Sequence, residues 1–399
     1  MLKYNLTAAF RSIKRNPGFS LINISGLSLG LTLVIILLTW LQFEFSFDKF
    51  HDNADRIYRV VSEFQHGTSS DNFCGTPAPL GEVLKKNIPE IADYVRFGSL
   101  GRIIVKFEKE QFWEEIDLAD PSIFRIFSFK LLSGDPETAL KEPGSIIISE
   151  TKARKYFGNR NPLGHILLLD NEKAPYRITG VMKDIPANSQ LKFDFLGSFS
   201  EIHGNLSWNH WNYWTYILTH NQGTFKAISE RLPDIVKEIP GDEKFQLHIQ
   251  PLTSIHLHSG LRYDLPTNTD INTILIISSI LLLVLLVACI NYMNLATARY
   301  TRRGKEAGLR KVASSTSVGI VLMLNLEFIR WILVSLILAC PLIVFFMHKW
   351  LESFAYRINL SWWIFALAAL ISIVISLLTV SWHTWNISTK NPVECLKHD

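Results

Sequence analysis

No G-x-x-x-x-G-K-[ST] loop occurs anywhere in the 399 residues, so nucleotide hydrolysis by the usual phosphate-cradling chemistry is not expected from this chain. H-E-x-x-H and G-x-S-x-G are also missing, which removes the simplest metallopeptidase and esterase readings. With no catalytic constellation in view, neither an enzyme nor a bound cofactor is expected. Cysteine is scarce: of four, Cys289 and Cys340 fall in apolar runs, Cys395 is near the end, and only Cys74 is in a polar stretch, so no disulfide framework is implied. Charged residues make up only 19%, and Lys plus Arg exceed Asp plus Glu by 40 to 36. The basic residues cluster beside apolar runs, the signature of membrane topology rather than of a nucleic-acid surface.

Apolar sequence is what the chain has in quantity. Hydrophobic residues reach 48% and the mean hydropathy is +0.16, values that combine membrane spans with a sizeable water-soluble part. Four runs are long enough for a bilayer core of roughly 30 Å at about 1.5 Å per residue: 18–43, 271–298, 318–347 and 360–385. The first is too long for a signal-peptide core and has no small-residue cleavage pattern behind it, so it reads as a retained anchor. Residues 1–17 put Leu2, Leu6, Ala9, Phe10 and Ile13 at helical spacing with Lys3, Arg11, Lys14 and Arg15 on other faces, an amphipathic helix for the inner membrane surface. The second run ends in Arg299, Arg302, Arg303, Lys305, Arg310 and Lys311, and the tail 386–399 carries Lys390 and Lys397. Four spans put all three basic clusters on one side, so both termini are expected in the cytoplasm, with 44–270 outside and 348–359 as a short outer loop.

Between the first two runs, 44–270 is polar and punctuated by turns. Strand-like alternation occurs around Val60, Ser62 and Phe64, at Ile103–Phe107, Ile146–Ile148, Ile166–Leu169 and Tyr176–Met182. Helix-like segments lie at Leu80–Lys86, Thr151–Phe157 and Phe225–Lys237. The expected fold class is therefore a membrane protein with four transmembrane α-helices and a large α+β extracytoplasmic domain inserted between the first and second. A division of that domain into two lobes stays open, since no Pro/Gly-rich linker fixes a boundary.

Smaller signals attach to single residues. Gly26 and Gly30 form a G-x-x-x-G spacing suited to close helix packing. Glu327 and Arg330 lie on one face of the third span, where mutual neutralisation as an intramembrane ion pair offsets the cost of burying either. The aromatic stretch Trp208, His210, Trp211, Tyr213, Trp214 and Tyr216 reads first as a core strand with its flanking loop, with a ligand or partner surface as the alternative. His256 and His258, two apart, would share a strand face, but without a third ligand at recognisable spacing they read as a polar loop near the membrane, not a metal site.

The chain resembles the FtsX/MacB-type ABC-transporter permeases in their Bacteroidetes-like form. The likeness is carried by RNPGFSLINISGLSLGL, FDKFHDNADRIYRV, ISETKARKYFGNRNPLGHIL, ITGVMKDIPANSQLKFDF, INYMNLATARYTRRGKEAGLRKV and the closing NPVECLK, in that order. It implies an inner-membrane permease with a MacB-like periplasmic domain, worked as a mechanotransmitter by a separate cytoplasmic ABC ATPase dimer. The family's coupling segment falls on 299–317, giving Arg299, Arg302, Arg303, Lys305, Glu306, Arg310 and Lys311 the role of docking on the ATPase. This chain departs from the pattern after Lys311, with Ala313, Ser314 and Ser315 where relatives commonly have Leu-Gly-Ala. Many relatives are about twice as long, so a second permease chain, identical or different, is an expected partner beside membrane lipid and a periplasmic or outer-envelope protein. The implied output is export or extraction of a lipid, peptide or small toxic compound. An FtsX-like regulator of cell-wall enzymes and a passive membrane-anchored scaffold are the alternatives.

Overall fold

The computed structural model describes residues 17–66, 69–169, 174–202, 207–240, 245–262, 264–265 and 267–302, together with 335, 337, 339–341, 345, 363, 365–371, 373–374 and 377. The expected N-terminal amphipathic helix, the outer loop at 348–359 and the tail at 386–399 lie outside the described residues. Two compact units divide the chain, one made of Met1–Phe43 with Asn272–Asp399, the other of Glu44–Ile271.

In the first unit a 28-residue helix runs Pro17–Glu44, with proline at the helical position where its missing N–H goes unneeded. A 32-residue helix runs Ile271–Arg302, so the basic positions Arg299 and Arg302 continue it. Their side chains are described without a break over 28–44 and 271–287. Over the described residues alone, no helix is long and apolar enough to cross a membrane. Leu31, Val34 and Ile35, spaced i, i+3 and i+4, are buried with Leu285, Ala339 and Ala368.

The Glu44–Ile271 unit is built on one sheet. Its strands are β1 (Ile57–His66), β2 (Ser69–Phe73), β3 (Ile91–Phe107), β4 (Glu110–Ala119), β5 (Leu131–Ser133), β6 (Ser145–Ser149), β7 (Ile166–Leu169), β8 (Ala174–Met182), β9 (Phe195–Ser198), β10 (Trp214–Thr219) and β11 (Phe245–Pro251). The order is β11-β1-β10-β3-β4-β9-β6-β8-β5, with β2 on β1, and β7 bridging β3 and β8. The long β3 is the spine. Its first half pairs with β10 and its second half with β4, across a register shift between Ser99 and Gly101. Gly101 takes a φ of +72° there, which a side chain would strain.

Helices cover the sheet where their apolar spacing allows. Leu80–Asn87 and Phe225–Glu238 bury Leu80, Leu84, Ile228, Leu232 and Ile235 against Val60, Ile217 and Ile249. Glu150–Phe157 buries Ala153, Tyr156 and Phe157 against Val105, Ile146 and Phe195; its start is capped by the Ser149 hydroxyl, which accepts from the Lys152 N–H. Between these two clusters lies a third, with Ile57, Phe97, Phe127, Leu196, Tyr216, Leu252 and Ile255. It draws from both halves of the sheet, and Glu44–Ile271 forms one compact unit. The α+β expectation is met.

One glycine fixes the approach of a loop to this sheet. A Cβ at Gly75 would lie 2.0 Å from the Trp211 carbonyl oxygen and 2.3 Å from the Phe73 ring. The next residue, Thr76, exchanges backbone hydrogen bonds with Tyr213 at 2.7 and 3.3 Å. Gly75→Ala is therefore expected to cost about 1–3 kcal/mol through overpacking against backbone that cannot swing aside. Thermal unfolding should show this as a fall of several degrees; an unchanged midpoint would contradict it.

Candidate functional site

The chain enters the second unit at Glu44 and leaves it at Ile271, and buried polar contacts fasten both passages to the same sheet. On the entry side, FDKFH makes a tight turn in which Asp48 takes a φ of +56°, a left-handed conformation that aspartate tolerates better than most residues. The turn is stitched to the loop at 188–190. The Asp48 N–H donates to the Asn188 carbonyl at 2.9 Å, and the Asn188 amide donates to the Ser46 carbonyl and hydroxyl at 3.0 and 2.9 Å. The Asp48 Oδ1 accepts from the Ser189 hydroxyl at 3.1 Å and the Gln190 N–H at 3.0 Å. Gln190 in turn accepts from the hydroxyl of the fully buried Tyr216 on β10, at 3.3 Å.

On the exit side, the helix Leu252–His258 carries His256, whose Nε2 lies 2.6 Å from the Glu44 carboxylate. Both residues are buried, and the imidazole stacks flat on Phe47 with ring centres 3.4 Å apart. The His256 carbonyl accepts from the Thr269 N–H at 2.8 Å. Past this helix, Asp264 meets Arg59 in a bidentate pair at 2.6 and 3.2 Å. The Arg59 side chain is 0% exposed and Asp264 only 9%. Arg59 sits on β1 opposite Tyr216 and Gln250, and donates also to Gln250 at 2.9 Å and to the Ser259 hydroxyl at 2.7 Å. Ser259 donates to Asp264 as well. Entry turn and exit segment thus end on neighbouring strands of one sheet, held by charges that burial makes costly to separate.

Burial also moves the titration of this base. It pushes the Asp48 carboxyl up to about 6, against the opposing pull of the Gln190 and Ser189 hydrogen bonds. It pushes His51 down to about 4, with Asp52 acting in the other direction, and it lowers the Lys192 ammonium, opposed by Asp48.

Elsewhere, Glu114 is gripped by Lys152 at 2.5 Å, Lys155 at 3.0 Å and the Tyr156 hydroxyl at 2.6 Å. Arg96 and Asp120 form a second bidentate pair, with the guanidinium 4.2 Å above the Phe199 ring. Each set satisfies itself and leaves no group positioned for chemistry. Among the described residues no cluster of His, Cys, Asp or Glu could hold a metal ion.

Several residues singled out from the sequence find their places here. His256 and His258 lie on a helix, not on a strand or loop; about 100° per residue sends them to different faces, one buried and one exposed. Gly26 and Gly30 fall on the first helix, half-buried and buried respectively. Nearby, the Ser28 hydroxyl donates to the Ser335 carbonyl at 3.1 Å. Arg299 and Arg302 are on the Ile271–Arg302 helix with side chains outside the description, and Arg303, Lys305, Glu306, Arg310, Lys311, Glu327 and Arg330 lie outside the described residues altogether. Sequence reading did not pick out Glu44, Asp48, His51, Arg59 or Asp264. The density of Asp, His, Arg and aromatic residues in FDKFHDNADRIYRV was the available signal.

A model of the MacB-like periplasmic core domain matches residues 20–235, and one of the FtsX-like permease C-terminal region matches 278–392. The macrolide export ATP-binding/permease protein MacB of Vibrio parahaemolyticus is 22% identical over 322 residues, covering 74% of this chain and 45% of that protein. The chain thus spans about half the length of the curated relative it matches. Among solved structures, a domain of a Porphyromonas gingivalis protein described as a permease has a TM-score of 0.46 at 22% identity, covering 54% of this chain and 97% of that one. The periplasmic region of MacB from Actinobacillus actinomycetemcomitans has a TM-score of 0.37 at 15% identity, covering 49% and 90%. With the core-domain model alone matching more than half of its residues and the permease model following in order, the chain belongs to the FtsX/MacB-type ABC-transporter permease family.

Proposed function

We propose that the chain is a permease subunit that turns ATP hydrolysis by a separate cytoplasmic ATPase dimer into motion of its 44–270 domain on the outer face of a bacterial inner membrane. Four spans at 18–43, 271–298, 318–347 and 360–385 keep both termini in the cytoplasm, and the chain pairs with a second permease copy or a different one. Arg299, Arg302, Arg303, Lys305, Glu306, Arg310 and Lys311 dock in an acidic groove of the ATPase, where steering by charge sets partner choice. Gly26 and Gly30 let neighbouring spans approach, and Glu327 with Arg330 neutralise each other within the third span. A lipid, peptide or small toxic compound is the cargo moved or extracted.

The observation that carries this reading is the fastening of both chain passages into one sheet through Asp48, Glu44–His256 and Arg59–Asp264. A domain that is to be moved by its two ends must not yield at those ends. A buried ion pair, buried hydrogen bonds and a stack give the rigidity that a loose linker would lack.

Cross-linking tests it. Single cysteines placed along 299–311 and paired with cysteines in the groove of a co-expressed ATPase should form disulfides at a few positions. Absence of any cross-link along the whole segment, with both proteins folded, would contradict the coupling.

A further inference from the structure

Asp48 and His51 stand one turn apart on the entry segment, and both are buried. Each leaves one polar atom without a hydrogen-bond partner among the described residues, Oδ2 of Asp48 and Nε2 of His51. The other ring nitrogen of His51 is engaged, since Nδ1 accepts the Ser128 N–H at 3.0 Å. By that assignment the neutral ring carries its proton on Nε2, 3.9 Å from the Asp48 Oδ1 and past hydrogen-bond reach. A second proton would have to go on Nδ1, at the expense of the Ser128 bond. Asp48 is built the opposite way. Its Oδ1 holds both donors, so a proton on Oδ2 breaks nothing and removes a buried charge.

We propose that Asp48 and His51 work as one buried proton-holding pair that keeps the entry turn docked across mildly acidic pH: the proton that a released turn carries on His51 is carried on Asp48 once the turn is seated. Charged and titratable groups around the pair fit this assignment. Asp52 and Glu44 lie on the same segment; Lys192 and His256, from the loop and the exit helix, act on Asp48 at longer range; Tyr216 closes the site from β10, and Arg59 with Asp264 is already neutralised as a pair.

The signs follow from the two shifts. Asp48, raised to about 6, favours the docked turn in acid and loses that contribution as pH rises through its docked value. His51, lowered to about 4, favours the docked turn near neutrality and loses that contribution as pH falls through its docked value. Between the two values the slopes oppose and largely cancel. The inference concerns the domain itself and stands whether or not the ATPase coupling does.

Hydrogen exchange on the full chain in lipid nanodiscs tests it, following peptides over 46–52 and 188–192 with rates divided by intrinsic exchange at each pH. Going from about pH 8 to about pH 5, wild-type opening should change by no more than about threefold. Asp48→Asn, which keeps the shape and tolerates the left-handed φ, leaves His51 alone and should open about 30-fold more in acid. His51→Asn, which can still accept from Ser128, leaves Asp48 alone and should open about tenfold less. Flat profiles in both variants, or shifts of the same sign, would overturn the proposal. Should His51→Asn fail to fold, Asp48→Asn decides by itself: acid-induced opening supports the pair and a flat profile overturns it.

Discussion

Asp264→Ala is expected to destabilise the Glu44–Ile271 domain by about 3–5 kcal/mol. The substitution leaves the Arg59 guanidinium fully buried with its charge unpaired, because Gln250 and Ser259 supply only neutral acceptors. Arginine cannot escape by losing its proton, so the domain must carry the charge or let water in. Against a total stability of about 5–15 kcal/mol for an ordinary domain, that loss removes from about a fifth to all of the margin. Removing both partners together, as Arg59→Met with Asp264→Leu, should recover much of the loss, since the penalty belongs to the orphaned charge rather than to the missing attraction. Thermal unfolding of the single and double variants checks this. A single variant within about 1 kcal/mol of wild type would mean that the exit segment is not fastened by this pair.

Local elements were legible where periodicity was clean. The segment Ile166–Leu169 forms β7 over the range its apolar run suggests, and Leu80–Asn87, Glu150–Phe157 and Phe225–Glu238 each extend the sequence expectation by one residue. The aromatic stretch ends in a strand, β10, whose Tyr216 is fully buried, as a core reading requires. Less was visible of β3, expected only at Ile103–Phe107, because Gly98, Ser99, Gly101 and Arg102 interrupt the alternation where the strand is bulged. The base of the domain left almost no local trace. Glu44 and His256 are 212 positions apart, and Arg59 and Asp264 are 205 apart. A single sequence gives no reason to pair such residues, and what settles them is the sheet order that brings β11 beside β1. A short helix such as Leu252–His258 is equally hard to read, since seven residues hold too few turns for a 3.6-residue period to stand out from alternation.

The other large effect is expected at the basic segment 299–311, which the proposed function seats on the ATPase. Arg310→Glu with Lys311→Glu changes the local charge by four, turning a cationic segment that would seat in an acidic groove into one that the groove repels. Juxtaposed like charges cost several kcal/mol at such a contact, so binding should fall by at least about a hundredfold. Stability of the Glu44–Ile271 unit should stay at its wild-type value, because neither residue belongs to it. That separation distinguishes a failure of coupling from a failure of folding. An effect confined to lipid contacts would instead leave the ATPase bound.

In the proposed mechanism, hydrolysis on a partner is coupled to this chain through 299–311. Its most direct test is ATP turnover by the candidate ATPase, with the full chain in lipid nanodiscs, comparing wild type with the Arg310→Glu, Lys311→Glu variant. A stable complex and altered turnover are expected with the wild-type chain, and neither with the variant. Equal turnover with wild type, variant and empty nanodiscs, when both chains are folded, would contradict it.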